Sequence, residues 1–306
     1  MVMHINLHLL RIFFVVAEQQ SFSRAAAALF ISQPAASKAV RELERQLDLP
    51  LLERGAGGTK GMRLTESGRA LFDHARGIFA LERAAIEEVR ARTGLQRGRL
   101  VVGASTTIAG YWLPPYLSRF LQQHPDTALD VRVGNTHEIS RALIECEIDV
   151  ALVEGAVADP RIEATHWQDD ELRIIAPPHS ALARKRRPGP ALLNAETWLV
   201  REPGSGTREV SERIMQAHQI RPERRIELGS NEGIARAVAA GTGIAILPAQ
   251  VVRELLATQA LKIVRYPQPA EPWLRPLFML QLKERPASPL LRAFCHALHT
   301  ARPARR

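Results

Sequence analysis

The side chains best suited to recognition chemistry lie on one face of a short helical segment near the start of the chain. Pro34, Ser37, Lys38 and Arg41 recur at i, i+3, i+4 and i+7, and Gln33 stands beside them at the N-terminal end. An amide can pair with an adenine edge, a basic side chain can bind guanine or phosphate, and a proline ring can contact a thymine methyl group. The pattern indicates a DNA-reading surface, although a solvated face of a small helical bundle would have the same periodicity.

The opposite face of this segment is apolar, which predicts that it packs on neighbouring helices. Its apolar residues recur at i, i+4, i+7 and i+11: Ala36, Val40, Leu43 and Leu47. A preceding amphipathic helix is predicted from Leu10, Phe13 and Ala17, which fall at i, i+3 and i+7.

Two serines predict where the neighbouring helices begin. We expect Ser23 to cap a short second helix and Ser32 to cap the third, in whose first turn the missing N–H of Pro34 costs nothing. Two short helices joined by a tight turn form a helix-turn-helix, whose second helix enters the major groove. We therefore include Ser23 and Ser32 among the predicted DNA contacts.

A glycine-rich hairpin is predicted after the third helix. Residues 49–54 have the pattern of a short strand, residues 55–61 are rich in glycine, and residues 62–64 form the return strand. Arg54, Lys60 and Arg63 would then hold the DNA backbone or reach the minor groove. An idle loop would show the same composition.

A long helix is predicted from Thr65, because apolar residues repeat every seven positions. Two such rows are present: Phe72, Phe79 and Ile86, and Leu71, Ile78 and Ala85. About three heptads are enough for a dimerising linker helix over residues 66–91. The alternative is an ordinary helix that packs on its own domain.

The second part of the chain repeats a strand, a polar turn and a helix, beginning at Arg99, with the first helix expected over residues 108–123. This repetition predicts an α/β sheet that is largely parallel, and ligands of such sheets bind beyond the carboxyl ends of the strands. Hydroxyl and amide side chains recur at those ends: Ser105, Thr106, Thr107, Asn135, Thr136, Ser205, Thr207 and Asn231. Each alone would serve as a helix N-cap, but their recurrence favours one binding cleft between two lobes.

Length, charge and motif content narrow the class of protein. The 306 residues suggest about two domains, and a formal net charge of +9 makes an acidic partner worth testing. The apolar run of residues 9–17 is interrupted by Arg11 and has no cleavage site, so we expect a cytoplasmic protein without a membrane segment. Two cysteines cannot form a four-cysteine zinc site, and no catalytic motif is visible. We therefore expect no metal, no cofactor and no enzyme activity.

Several stretches near the N-terminus share the register of one known family. They are Leu10-Arg11-Ile12-Phe13, Ser21-Phe22-Ser23-Arg24-Ala25-Ala26, Ile31-Ser32-Gln33-Pro34-Ala35 and Leu64-Thr65-Glu66-Ser67-Gly68. With these residues the segment resembles the winged helix-turn-helix of LysR-type transcriptional regulators. Asp48 and Leu52 depart from that family, which usually has Gly and Phe there, so the geometry of the wing is expected to differ.

The resemblance covers nearly the whole chain and implies a domain organisation. It implies a mainly α winged helix-turn-helix DNA-binding domain over residues 1–64, a linker helix and hinge over 65–97, and an α/β effector domain over 98–306. The effector domain would have two lobes, like a type 2 periplasmic binding protein. Lobe I would take about residues 98–165 and 270–306, and lobe II about 166–269, with chain crossings near Thr165 and Pro269.

The implied function is a ligand-responsive transcriptional regulator that binds double-stranded promoter DNA. Its other expected partners are a small-molecule effector and further copies of itself, as a dimer through the linker helix and as a homotetramer. RNA polymerase is a further candidate partner. The alternatives are a solute-binding protein and an enzyme built on a binding-protein scaffold.

The effector class follows from a closer resemblance. Four stretches look like the branch that includes regulators of sulfur assimilation and carbon fixation: residues 101–107, 134–136, 153–155 and 201–208. That branch implies a small anionic metabolite or a sulfur oxyanion as effector, and adds Glu154, Arg201, Gly204 and Gly206 to the site residues named above. Glu154 would repel an anion unless Arg201 or Arg208 offsets its charge. It either restricts the cleft to small or cationic ligands or is paired structurally, and we favour the structural pairing.

Overall fold

A computed structural model describes residues 4–53, 62–91, 98–155, 157–185, 188–266 and 273–300. The chain divides into two compact units, Met1–Ile86 and Glu87–Arg306. Each unit buries a hydrophobic core of its own. Within these described ranges, no helix combines the length and apolar character needed to cross a membrane.

The N-terminal unit is helical, with α1 (Leu7–Gln19), α2 (Phe22–Ala28), α3 (Gln33–Leu47) and the greater part of α4 (Glu66–Ala91). Its core contains the predicted apolar faces of α1 and α3, including Leu10, Phe13, Ala17, Ala36, Val40 and Leu43. The helical periodicity is therefore confirmed, since residues three and four positions apart lie on one helix face.

The helix termini of this unit differ from the prediction at one position. The cap of α2 is Ser21, whose hydroxyl accepts the N–H of Arg24 at 3.3 Å, so the assignment of Ser23 as the cap is wrong. Phe22 already packs on the core as the first helical residue, which places Ser23 inside the first turn. Ser32 caps α3 as predicted, with its oxygen accepting the N–H of Ala35 at 3.3 Å.

Only the base of the predicted hairpin lies among the described residues. Leu52 pairs with Leu64 in an antiparallel bridge, and the N–H of Glu53 donates to the carbonyl of Arg63 at 2.9 Å. These contacts agree with two short segments that run in opposite directions. The glycine-rich loop over residues 54–61 lies outside the described residues.

The start of α4 is fixed against this hairpin. The Thr65 hydroxyl donates to the carbonyl of Pro50 at 2.7 Å and accepts the N–H of Gly68 at 2.9 Å. A Cβ atom at position 68 would lie 2.0 Å from the carbonyl oxygen of Leu51. Glycine is therefore required there, because the backbone of the helix approaches another backbone too closely for a side chain.

The C-terminal unit alternates strands and helices in two lobes. Lobe I contains β1 (Gly98–Ser105), a π-helical turn (Ile108–Trp112), α5 (Pro114–Gln123), β2 (Thr127–Gly134), α6 (Thr136–Ile144), β3 (Val150–Glu154) and, late in the chain, α12 (Pro289–Thr300). Lobe II contains α7 (Ala181–Arg184), α8 (Pro190–Asn194), β5 (Thr197–Val200), α9 (Gly206–Ala217), β6 (Arg224–Glu227), α10 (Asn231–Ala239), β7 (Ala245–Pro248), α11 (Ala249–Ala257) and β8 (Lys262–Ile263). Two long strands, β4 (Ile162–Ala176) and β9 (Trp273–Leu282), run between the lobes.

The sheet is mixed, so the prediction of a largely parallel sheet is wrong. The strand order is β2-β1-β3-β9-β4-β7, with β8 on β4, and a separate parallel pair joins β5 to β6. The β1–β2, β1–β3 and β5–β6 pairs are parallel as predicted, but β9 and β4 are antiparallel to each other and to their neighbours. The reason is that these two strands carry the chain to lobe II and back. Thr165 lies within β4, and Pro269 lies outside the described residues.

The single helix expected over residues 108–123 is interrupted. The π-helical turn ends at Trp112, and α5 begins anew at Pro114. Pro114 and Pro115 lack the N–H groups that would continue the first segment, and proline is favourable in a first turn. The π-helical turn therefore directly follows the predicted cleft residues Ser105, Thr106 and Thr107.

Candidate functional site

The exposed face of α3 carries the predicted DNA-reading side chains. Gln33, Pro34, Lys38 and Arg41 are exposed and Ser37 is half-buried, while the apolar face of the helix is buried. Arg41 donates from Nε to the carbonyl of Ser37 at 3.3 Å, a contact that uses one of the N–H groups of its guanidinium. Packing thus leaves a polar and cationic helix face of the kind that fits a DNA groove.

The other predicted DNA contacts are less uniform. Ser23 on α2 and Arg63 beside the hairpin are exposed. Ser32 is exposed as well, but its oxygen is already used in capping α3. Arg54 and Lys60 lie outside the described residues, so the predicted wing contacts rest on the sequence.

Two apolar rows of α4 have different surroundings. Phe72 and Phe79 pack on Phe14 in the N-terminal core, with ring centroids 5.1 and 5.4 Å away. For Phe72 and Phe79 this agrees with the alternative of packing on their own domain, and Leu71 packs on the same core, whereas Ile86, of the same predicted row as the two phenylalanines, is exposed. The exposed apolar residues form a second row along the helix: Ile78, Leu81, Ala85, Ile86 and Val89.

In the C-terminal unit, predicted cleft residues of both lobes meet. Asn231, at the start of α10, donates from Nδ2 to the hydroxyl of Thr107 in lobe I at 2.8 Å and to that of Thr207 at 3.3 Å. All three side chains are buried. The Oδ1 atom of Asn231 has no hydrogen-bond partner among the described residues, so the cleft retains a buried acceptor. Ser105 is also buried, and its oxygen accepts the N–H of Ile108 at 3.3 Å.

Arg201 lies at the end of β5 and faces residues of lobe I. Its Nε and Nη2 atoms donate to the two carboxylate oxygens of Glu202 at 2.7 and 2.8 Å, and its Nη1 donates to the Thr106 hydroxyl at 3.3 Å. The Nδ2 atom of Asn135 donates to the same carboxylate at 3.5 Å. Partial burial raises the pKa of Glu202, but the hydrogen bonds and charge of Arg201, a backbone hydrogen bond and the hydrogen bond from Asn135 together outweigh burial and hold this pKa below its ordinary value.

The glycines of the β5–α9 turn allow the lobes to touch. The N–H of His137 donates to the carbonyl of Gly204 at 3.2 Å, and Gly204 has a φ of 86°, in the left-handed region that favours glycine. A Cβ at position 206 would lie 2.5 Å from the carbonyl oxygen of Glu154 and 2.8 Å from the hydroxyl of Thr136. Gly204 and Gly206 are therefore placed at the cleft, where they bring the start of α9 against lobe I.

Glu154 is buried and paired, but with a residue that the sequence analysis did not select. Its Oε1 atom lies 3.5 Å from Nη2 of Arg275 on β9, and the same nitrogen donates to Asp170 on β4 at 2.7 Å. Arg275 also donates from Nη1 to the Thr207 hydroxyl at 2.8 Å. The expected offset by Arg201 or Arg208 is wrong, because Arg201 pairs with Glu202.

Arg208 is engaged elsewhere. It forms ion pairs with Glu212 at 3.0 Å and with Glu227 at 2.8 Å, and it donates to the carbonyl of Arg201 at 2.9 Å. Its guanidinium is thus held on lobe II, where it supports the turn that contains Arg201.

Asp170 and Arg275 are cleft residues that sequence reasoning missed. Both are buried, and burial raises the pKa of Asp170 above its ordinary value although Arg275 opposes the shift. One signal was present. Arg275 is two residues from each of the buried apolar residues Trp273 and Leu277 on β9, so the three side chains share the inward face of the strand. An arginine at an inward position of an apolar strand indicates a buried acidic partner.

A cavity of about 530 Å³ opens between α6 and α9, beside the glycine contact. Its polar lining combines Thr136, Ser140, Ser205 and Arg208 with the carboxylates of Glu209 and Glu212. The Ser140 hydroxyl is buried without a hydrogen-bond partner in the described structure, and α9 begins without a side-chain cap from Ser205. Hydroxyls and an uncapped helix N-terminus are groups that can bind an anion. Among the residues that the structure describes, no cluster of three or more His, Cys, Asp or Glu side chains could hold a metal ion.

Comparisons with known proteins give consistent results. The family model "Bacterial regulatory helix-turn-helix protein, lysR family" matches residues 7–69, and "LysR substrate binding domain" matches residues 93–303. The HTH-type transcriptional regulator CysL of Bacillus subtilis is 33% identical over 255 residues, covering 83% of this chain and 84% of CysL. The RuBisCO operon transcriptional regulator of Allochromatium vinosum is 33% identical over 259 residues, covering 85% of this chain and 84% of that protein. The regulatory domain of Synechocystis CcmR, solved in complex with 2-PG, is 28% identical with a TM-score of 0.61, covering 66% of this chain and 96% of that one.

Proposed function

Because the chain belongs to the LysR family of bacterial transcriptional regulators, we propose that α3 reads promoter DNA and that an anion bound between the lobes controls this activity. The family assignment makes the protein a DNA-binding regulator with an effector domain, and not an enzyme. It resembles the branch that includes regulators of carbon fixation operons. The comparisons support neither the solute-binding protein nor the scaffold-based enzyme.

The proposed DNA contacts divide into two groups. Gln33, Pro34, Ser37, Lys38 and Arg41 would contact base edges and nearby phosphates in the major groove. A second group would hold the DNA backbone: Ser23, Ser32, Arg54, Lys60 and Arg63. The exposed cationic face of α3, opposite its buried apolar face, is the observation that carries this part of the proposal.

The test of DNA reading compares specific with random DNA at one fixed salt concentration. Gln33→Ala and Arg41→Ala should each reduce the preference for the promoter, by about 1–3 kcal/mol for a base contact. Arg253→Ala is the matched control, because Arg253 is an exposed arginine on α11 of the effector domain. If both α3 variants select the promoter as well as the unmodified protein does, the proposed reading surface is wrong.

The proposed effector is a small anion, bound by hydroxyls, amides and Arg201 at the ends of the strands. The observation that carries it is the binding of one carboxylate, that of Glu202, by Asn135 of lobe I and Arg201 of lobe II. The Thr106 hydroxyl of lobe I accepts a hydrogen bond from the same guanidinium. This arrangement supports a site in which Asn135 and Arg201 bind the carboxylate of an effector together. The regulatory domain of CcmR, solved in complex with 2-PG, supports a small molecule as the effector of this domain.

Thermal shifts test the effector site. Sulfate, phosphate and small carboxylates should raise the unfolding temperature of the full-length protein by mass action. Thr106→Ala combined with Ser205→Ala should reduce that rise, while Arg253→Ala should leave it unchanged. An unchanged rise in the double variant would remove these residues from the effector site.

We infer an oligomer built through α4. The exposed row from Ile78 to Val89 supports pairing with the same row of a second chain, since an apolar helix face is stabilised by burial. A tetramer, contact with RNA polymerase and action in the cytoplasm, where promoter DNA lies, complete the proposal. Sedimentation of Ile78→Glu and Val89→Glu variants tests the pairing, which predicts a smaller species for both.

A further inference from the structure

We propose that Glu202 is a built-in competitor for the anionic effector, which must displace the Glu202 carboxylate from Arg201 before it can bind. The inference rests on the proposed effector site. Glu202 sets the effector concentration at which the regulator responds, and the residues around Glu202 supply the groups that bind the effector.

The first argument is the geometry of the pair. Arg201 is buried, and its Nε and Nη2 atoms bind both oxygens of Glu202, which is the bidentate form in which arginine binds carboxylates. The remaining terminal nitrogen, Nη1, donates to Thr106. All three guanidinium nitrogens are therefore engaged within the protein.

The second argument is convergence. The carboxylate of Glu202 receives hydrogen bonds from Arg201 of lobe II and from Asn135 of lobe I. Both donors are residues expected to bind the effector. The chain thus places a carboxylate of its own in the position where the carboxylate of an effector would be recognised.

The third argument is electrostatic. Two anions around one guanidinium repel each other, and this repulsion is strong where water is excluded. An effector is therefore expected to replace Glu202 and not to bind beside it. Glu202 is the group able to leave, because its side chain keeps 24% of its surface exposed, whereas that of Arg201 keeps 3%.

Displacement would also link binding to the arrangement of the lobes. The contact between Asn135 and Glu202 crosses from lobe I to lobe II, and it is lost when Glu202 leaves. An effector that engages Asn135 and Arg201 replaces this contact with its own. The effector-free and effector-bound states thus differ in the group that joins the lobes. This difference is needed because a ligand shifts an equilibrium only when it interacts differently with the two states.

The experiment measures the affinity of the full-length protein for inorganic sulfate and for acetate by calorimetry at constant ionic strength. Glu202→Gln should bind both anions about tenfold more tightly, because a charged hydrogen-bonded competitor has been weakened. The gain should be the same factor for both, since each anion displaces the same group. Glu202→Ala serves as a second variant and should show a gain of the same kind.

The charge of the anion separates displacement from general repulsion. If Glu202 acted only through space, the gain for divalent sulfate would be about the square of the gain for acetate. Glu223→Gln is the matched control, because Glu223 is exposed and far along the strand pair from Arg201. Glu223 precedes the first residue of β6, whereas Arg201 follows the last residue of its parallel partner β5. Glu223→Gln should bind both anions as the unmodified protein does.

Three results would overturn the inference: no gain in either Glu202 variant, weaker binding, or a gain that scales with the charge of the anion. Arg201→Gln separates this failure from failure of the proposed function. If Arg201→Gln abolishes anion binding while the Glu202 variants show no gain, the effector site stands and the competitor role fails. If Arg201→Gln binds both anions normally, the effector site itself is wrong.

Discussion

Asp170 and Arg275 are direct partners across the antiparallel strands β4 and β9, and their buried side chains lie 2.7 Å apart. These strands connect the two lobes, so the ion pair lies at the hinge of the effector domain. Glu154 adds a second carboxylate 3.5 Å from the same guanidinium. Arg275 therefore neutralises acidic groups on two other strands, β3 and β4.

Removing this arginine should strongly destabilise the effector domain. Arg275→Leu leaves two buried carboxylates uncompensated, and the free energy of unfolding should fall by about 3–5 kcal/mol. Arg173→Leu is the control on the same strand as Asp170, because Arg173 forms a partly exposed pair with Glu171. Its loss should cost at most about 1 kcal/mol. Denaturant unfolding of both variants measures the difference, and equal losses would contradict a structural role for the buried cluster.

The titration of Asp170 should give stability a characteristic pH dependence. Its pKa is raised above the ordinary value of 3.8, so the unfolded chain loses this proton at lower pH than the folded protein. Between these two pKa values the folded state binds more protons, and the contribution of Asp170 to stability falls as pH rises. Asp170→Asn removes this pH-dependent contribution to the free energy of unfolding. The difference in unfolding free energy, unmodified protein minus variant, should decrease through that pH range, and an increase would show that the pKa is lowered instead.

The close approach at Gly206 should make this position intolerant of a side chain. The Cβ of Gly206→Ala would meet the carbonyl of Glu154 at 2.5 Å, so the lobes must separate or α9 must shift. We expect a loss of about 1–3 kcal/mol, as for overpacking in a core. Gly233→Ala is the control, because its Cβ meets nothing closer than 3.6 Å and it also lies in the first turn of a helix. Normal stability of Gly206→Ala would contradict the contact between α9 and β3.

The two serines of α2 should separate stability from DNA binding. Ser21→Ala removes the cap of α2 and should cost about 1 kcal/mol in unfolding free energy. Ser23→Ala should leave stability nearly unchanged and, if Ser23 contacts a phosphate, weaken binding to all DNA sequences alike. Thermal unfolding and titration with specific and random DNA measure both effects. A larger loss of stability in Ser23→Ala than in Ser21→Ala would contradict the observed cap.

Local patterns in the sequence predicted the features that depend on near neighbours. The apolar faces of α1 and α3 are buried as their spacing indicated, and Ser32 caps α3. The cap of α2 was misplaced because Ser21 and Ser23 are both good caps, so the local pattern does not distinguish them. In the structure Phe22 is the first helical residue and packs on the core, which leaves Ser21 as the cap.

The interaction of residues far apart in the chain required the tertiary structure. The spacing of serines, threonines and asparagines predicted a cleft, but not that Asn231 would bind Thr107 and Thr207 together. The mixed sheet was also missed, because strand direction depends on the path between lobes and not on the residues of each strand. The pairing of Glu154 with Arg275 depends on that same path.

The helix faces, the strand ends and the family follow from the amino-acid sequence alone, because periodicity and motif register are properties of short segments. The pairing of the charges in the cleft depends on the three-dimensional fold. Asp170 and Arg275 are 105 positions apart and meet because β4 and β9 pair in one particular register, which no local pattern encodes. Burial then decided the energetics, since the same carboxylates would contribute little to stability on an exposed surface.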